Sequence, residues 1–170
     1  MCRRFGKKRC GFEDIHWATV MSIKVKNMIV NKIAQFNYFL LYDKIPQSLN
    51  LWKRRKIEHP ECQICKCIND CIHFLFHCTI VSKFWSKVNF LINRIYDTNI
   101  KLQWKHIICG YMLKCKKLEP LNLIIMIATF CVYKSRILSE TNIWRFLIEE
   151  LSCIQAIKND EKIKEFINAI

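Results

Sequence analysis

The sequence predicts a mainly α-helical fold with a small cysteine-histidine knuckle set between helical segments. Three observations carry that prediction. Gly 3 and Pro 3 in 170 residues are too few turn formers for a sandwich or barrel. Apolar residues recur at helical spacing along several stretches. Between them, from position 62, the chain reads CQICKCINDCIHFLFHC, a run whose Cys and His spacing belongs to neither a helix face nor a strand. The organisation that follows is a basic arm and lead-in over residues 1–24, a helix–knuckle–helix unit over 25–95, and a helical C-terminal segment over 96–170.

Taken in order, residues 1–12 are basic and cysteine-bearing and read as a flexible arm. Ile29, Ile33, Phe36 and Leu40 mark one face of a helix over residues 25–41, which Pro46 stops. Ser48 is placed to cap a short helix through Leu49, Leu51 and Trp52. After the knuckle, Val81, Phe84, Trp85, Val88, Leu91, Ile92 and Ile95 keep one stripe of a helix over 79–95, with Thr79 or Ser82 as its cap. Asp97 to Lys101 is a connector, and Trp104 to Met112 an apolar stretch broken by Gly110. Pro120 opens a helix to about Leu138 that is apolar all round. Thr141 or Asn142 caps a further helix carrying Ile143, Phe146, Leu147, Leu151 and Ile154. Asn159-Asp160 breaks it before a last helix with Ile163, Phe166, Ile167 and Ile170. No stretch alternates as a strand does.

At 52% hydrophobic the chain can bury a sizeable core, and its net charge is +14. A surface of that sign attracts polyanions, nucleic acid before an anionic membrane. Eleven cysteines without an apolar segment after the basic start indicate a reducing compartment, cytoplasmic or nuclear, in which clustered thiols hold metal rather than form disulfides. Leu121 to Tyr133 is almost wholly apolar but only about 13 residues long, against roughly 20 for a bilayer crossing. It reads as a buried helix, with no membrane involved.

Cys62, Cys65, His73 and Cys78 form a Cys-x2-Cys-x7-His-x4-Cys array. A Cys-x2-Cys pair folds as a tight turn that brings two thiolates together. A His and a Cys five positions apart can return to that point from the lead-in of the next helix. Three thiolates and one imidazole make a closed tetrahedral set for one Zn2+, with no position left for substrate, so the zinc is structural. Cys67, Cys71 and His77 lie in the same segment and remain alternatives: His77 in place of Cys78, or Cys71 in place of His73.

The run from Leu40 to Trp85 resembles the zinc-binding C-terminal region of non-LTR (LINE-type) retrotransposon reverse transcriptases. The residues that carry the likeness are Ile45, Pro46 and Leu49 before the knuckle, then Cys62 and Cys65. The His73-Phe74-Leu75-Phe76-His77-Cys78 run and the Phe84-Trp85 pair follow. Ile108-Cys109-Gly110-Tyr111 and the helix from Asn122 to Arg136 are similar to later parts of the same region, so the likeness covers residues 14–155. Asn69 and Thr129 depart from it, standing where the family usually has an acid and a Lys. No Tyr/Phe-x-Asp-Asp polymerase motif occurs in the chain. The resemblance implies a zinc-dependent nucleic-acid-binding tail that holds element RNA or target DNA and works with the polymerase domain of a parent polyprotein.

The residues placed to meet phosphates are Lys53, Arg54, Arg55 and Lys56 beside the knuckle, and Lys83 and Lys87 on the next helix. Trp52, Phe74 or Phe76 could stack on bases, although core packing is the preferred reading for Trp52 and Phe74. Catalysis is not expected. Glu149-Glu150 and Asp160-Glu161 read as exposed helix residues, the cysteines are spaced for metal, and no Gly-rich phosphate loop or Ser-His-Asp context appears. No small-molecule substrate is expected either. The alternatives are a zinc-stapled helical protein-interaction module, or a non-functional fragment of a decayed element.

Overall fold

The computed structural model describes residues 17–22, 30–111, 119–140 and 142–170. The basic arm of residues 1–12, and Ile29, Met112 and Thr141, lie outside them. Among the described residues the elements are helical, and extended pairing is limited to a single bridge between Glu61 and Ile68. The fold is mainly α. Its helices are α1 (Trp17–Met21), α2 (Asn31–Leu41), α3 (Ser48–Lys53), α4 (Thr79–Tyr96), α5 (Trp104–Cys109), α6 (Glu119–Ile137), α7 (Ile143–Lys158) and α8 (Glu161–Ala169). A π-helical turn, His73–His77, leads into α4.

Helix α6 is the centre of the molecule. Leu121, Ile124, Ile125, Ile127, Ala128, Cys131 and Val132 are buried around its circumference, as an all-round apolar helix requires. Pro120 sits in its first turn, where a missing N–H breaks no helical bond. It is also the one helix among the described residues long and apolar enough to cross a membrane. Here 72% of that apolar window is buried inside the protein. It packs against α2, α5, α7, α8 and the π turn. The α2–α6 contact is aromatic, Phe36 meeting Tyr133 at 4.7 Å and Phe130 edge-on at 5.6 Å. Helix α4 lies across α8 and the π turn, and Phe84 reaches Trp144 of α7 at 4.7 Å. One cluster of buried residues runs from Val20 to Phe166.

Helix boundaries follow their chemistry. Asp43, Asp97 and Asn159 take left-handed backbone at φ 52°, 47° and 49° just after α2, α4 and α7, as short polar residues can. Gly110 ends α5 at φ 83°. Beside it, the Asn122 side chain accepts from the Tyr111 N–H at 2.6 Å and donates to the Tyr111 carbonyl at 2.9 Å. These two hydrogen bonds fasten Tyr111, just after α5, to the first turns of α6. Asn142 caps α7 by accepting from the Arg145 N–H, and Asp160 caps α8 by accepting from Lys162 and Ile163.

Four expectations need correction. Helix α2 starts at Asn31, with Val30 extended. Ser48 does not cap α3: Gln47 holds the N-cap position, and the Ser48 hydroxyl accepts from the Asn69 side chain at 2.8 Å. Neither Thr79 nor Ser82 caps α4. Cys78 stands at its N-cap, and Ser82 donates back to the Thr79 carbonyl. Glu150 is not exposed. It is buried on the inner face of α7, 2.6 Å from Lys32 Nζ of α2 and 3.7 Å from Lys134 Nζ of α6.

Candidate metal centre

One ligand atom from each of Cys62, Cys65, His73 and Cys78 lies within 4.8 Å of all the others. Two local devices gather them. The first is the loop from 61 to 68, closed by the Glu61–Ile68 bridge and by the Cys62 N–H donating to the Cys67 carbonyl at 2.8 Å. Lys66 turns the chain at φ 58°, and its N–H returns to the Cys62 carbonyl at 2.9 Å. The second is the π turn. On an ordinary α-helix, residues five apart point about 140° away from each other. In the π turn the Cys78 N–H donates to the His73 carbonyl at 2.9 Å, and the wider coil returns both side chains to one side. The His73 N–H is held in turn by the Asp70 carboxylate at 2.7 Å. Trp85 donates its indole N–H to the Leu75 carbonyl at 2.7 Å, fixing the turn against α4.

The spacing fits a tetrahedral ion. Bonds of ~2.3 Å from zinc to two thiolates put the sulfurs about 3.8 Å apart. Cys78 Sγ is 3.9 Å from Cys62 Sγ and 3.7 Å from Cys65 Sγ. Cys62, His73 and Cys78 are buried and Cys65 partly so, a shielded set whose four protein ligands would leave an ion no open position. Of the other residues weighed as ligands, Cys71 is buried outside this group and His77 is exposed, its ring against Phe76. Cys67 is exposed, but its Sγ lies 3.3 Å from His73 Nδ1.

The centre includes a residue that the sequence reading did not assign to it. Arg136, at the end of α6, donates from one guanidinium nitrogen to Cys78 Sγ at 3.0 Å and from the other to Cys62 Sγ at 3.5 Å. Its plane covers the Phe74 ring at 5.0 Å. With three thiolates and a neutral imidazole, a divalent ion here would carry a net charge of −1, and Arg136 is placed to balance it. Burial works against the Cys62 thiolate. Arg136, the backbone N–H groups of Cys65 and Ile64, and His73 outweigh that and bring the Cys62 thiol from 9.0 down to about 6. The Thr79 hydroxyl and N–H lower the Cys65 thiol, the N–H lying 3.5 Å from its sulfur. A ligand sulfur thus accepts one of the free N–H groups at the start of α4, the role the sequence assigned to Thr79 or Ser82. Burial raises the Cys78 thiol.

Lys53, Arg54, Arg55 and Lys56 are all exposed, the run turning at Arg55 with φ 55°. Lys83 and Lys87 are exposed on α4, with Lys87 Nζ 4.7 Å from the centre of the Trp144 ring. Phe74 is buried, as core packing requires. Trp52 departs from that reading, with 46% of its surface exposed.

No protein-family model, curated protein or solved structure matches the chain. What the fold and site define is a mainly α-helical protein with a Cys3His cluster suited to a metal ion.

Proposed function

We propose that this chain is a zinc-stabilised nucleic-acid-binding module, the non-catalytic tail of a LINE-type reverse transcriptase, holding element RNA or target DNA for a polymerase domain. The observation that carries the reading is the surface of α3 and the turn after it. Trp52 stands exposed directly before four exposed cations, Lys53 to Lys56, and this segment leads into the Cys3His cluster. Cations beside an exposed aromatic are what an unpaired strand needs: charges for phosphates and a flat face for a base. The net charge of +14 and the resemblance of residues 14–155 support the same reading. Zinc would be held by Cys62, Cys65, His73 and Cys78 and would supply rigidity. With four protein ligands the site has no open position for a substrate, so the zinc would perform no chemistry of its own.

The test is binding of labelled single-stranded RNA and DNA across a salt series. Affinity should fall steeply with salt, and replacing Lys53, Arg54, Arg55 and Lys56 together by Ala should flatten the slope by up to about four. Trp52→Ala should cost about 1–3 kcal/mol on an unpaired strand. Affinity that ignores both salt and the fourfold replacement rules the reading out.

One observation favours the interaction-module alternative. A cleft of about 850 Å³ beside the metal centre is lined by Ile57, Ile64, Ile80 and Ile137 among other residues, and these four are exposed. Under that reading, replacing Ile64 and Ile137 by polar residues raises solubility, and nucleic-acid affinity is absent from the start.

A further inference from the structure

We propose that the cleft beside the Cys3His cluster is a docking site for a partner protein, taking a segment rich in aliphatic and basic side chains. The inference goes beyond the nucleic-acid reading and does not depend on it. Ile57, Ile64, Ile80 and Ile137 line the cleft and are exposed at 37, 49, 39 and 45%. They come from separate places in the chain: just after α3, the knuckle loop, the first turn of α4 and the end of α6. Exposed apolar side chains gathered into one concavity, rather than scattered singly, mark a surface that another protein covers. Its volume of about 850 Å³ lies within the range of about 300–1,000 Å³ for pockets that enclose a ligand.

The charges around these isoleucines select the occupant. The chain carries +14, yet the carboxylates of Glu58, Glu61 and Glu140 line the cleft against the cations of Lys66 and Arg136. Arg136 is engaged with Cys78 and Cys62, and Glu140 with Arg145 at 2.7 Å. Glu58 and Glu61 are exposed and belong to no ion pair among the described residues, which leaves them facing Lys66 alone. Unneutralised carboxylates beside an apolar wall attract Lys or Arg and repel phosphates. The wall also suits a peptide better than a nucleotide. Isoleucines offer no flat ring for a base to stack on, and the Phe74 ring at the cleft is buried, with the Arg136 guanidinium over it at 5.0 Å. An amphipathic segment would set its aliphatic side chains into the groove and its cations against Glu58 and Glu61.

The test uses the full chain and two short labelled peptides, one of Leu and Lys and its counterpart of Leu and Glu, read by fluorescence anisotropy. The net charge alone favours the acidic peptide; the cleft predicts the reverse, with the Leu/Lys peptide about tenfold tighter. Ile64→Ser with Ile137→Ser, at exposed positions, should weaken it about tenfold. Glu58→Gln with Glu61→Gln, a second pair that leaves the apolar wall intact, should weaken it about fivefold. Equal or tighter binding of the Leu/Glu peptide overturns the proposal, as does Leu/Lys binding unchanged in both pairs of variants. A dimer seen by sedimentation that Ile64→Ser with Ile137→Ser dissolves puts a second copy in the cleft and overturns it too. Affinity for single-stranded RNA should be the same in those isoleucine variants as in the wild type; its loss there would place nucleic acid in the cleft instead. Absence of RNA binding in the wild type, with the peptide preference intact, removes the nucleic-acid reading and leaves the docking site standing.

Discussion

Replacing Arg136 probes the metal centre from outside its ligand set. Arg136→Met keeps the length and the apolar stem that covers Phe74 but removes the charge and both donors. The lost interactions are one good N–H···S bond at 3.0 Å and one marginal bond at 3.5 Å. A hydrogen bond to a charged group contributes about 1.5–3 kcal/mol net, and the marginal one adds little. The guanidinium is only partly buried, so water recovers some of the loss. A net cost of about 2 kcal/mol follows, or roughly 30-fold in zinc affinity at 1.4 kcal/mol per tenfold. This lies inside the 10–100-fold range typical of groups that support metal ligands without touching the metal. Arg136→Lys keeps the charge and loses the fork that spans two sulfurs, so its loss should be smaller, about fivefold. Competition against a chromophoric chelator measures both, with circular dichroism showing that the helices persist. A zinc affinity for Arg136→Met within about threefold of wild type would refute the charge-balancing role.

Three further outcomes follow from the same geometry. Removing zinc with a chelator withdraws a ligand that binds only the folded state. At a thousandfold excess of zinc over its dissociation constant that is about 4 kcal/mol, so Tm should drop by roughly 8–16 °C for a chain of this size. A scan unchanged by chelation would contradict this. In the zinc-free protein the Cys62 thiol lies at about 6 against 9.0 unfolded. A depressed thiol favours the folded state fully above pH 9, and the contribution shrinks as pH falls and is gone below about 6. Urea midpoints should show that slope between pH 9 and 6 and lose it in Cys62→Ser; an equal slope in the variant removes Cys62 as its source. Lastly, Lys32→Ala should destabilise more than Glu150→Gln, about 2–3 against 1–2 kcal/mol by urea unfolding. The first leaves a buried carboxylate with only Lys134 at 3.7 Å, while the second leaves lysines that can reach water. The reverse order would mean that Glu150 is solvated.

The helices were legible because their apolar faces repeat over many turns. Val81, Phe84, Trp85, Val88, Leu91 and Ile92 of α4 are all buried as the stripe requires, and so are the five core residues named for α7. The cluster was legible because its ligands lie close in sequence at spacings a loop and a helical turn can close. What escaped were relationships across the chain. Arg136 is 58 residues from Cys78, and nothing local distinguishes it from any arginine ending an apolar helix. Glu150 meets Lys32 across 118 residues. Its place beside Glu149 suggested a solvated pair, yet adjacent helix positions are about 100° apart, so one can face the core while the other faces water. The caps misled for a related reason. Ser48 has a better partner in Asn69, and the start of α4 is served by a sulfur.

Asn69 joins these contacts into one mechanical account. Its side chain donates to Ser48 Oγ at 2.8 Å, its carbonyl accepts from the Leu49 N–H at 3.2 Å, and its N–H donates to the Pro60 carbonyl at 2.9 Å. One residue of the knuckle therefore holds both the start of α3 and the chain just before Cys62, the two ends of the segment carrying Trp52 and the four cations. The knuckle is secured to the core from the other side, where Arg136 of α6 grips Cys62 and Cys78. An ion held by the four ligands would lie between these two attachments. It would tie the small loop to the large helical core and, through Asn69, fix the outward face of α3. Buried packing alone would leave α3 poorly held, since Asn50 is its one buried residue. On the proposed reading, a metal would matter to function because it would hold in place an exposed basic surface that the core does not hold by itself.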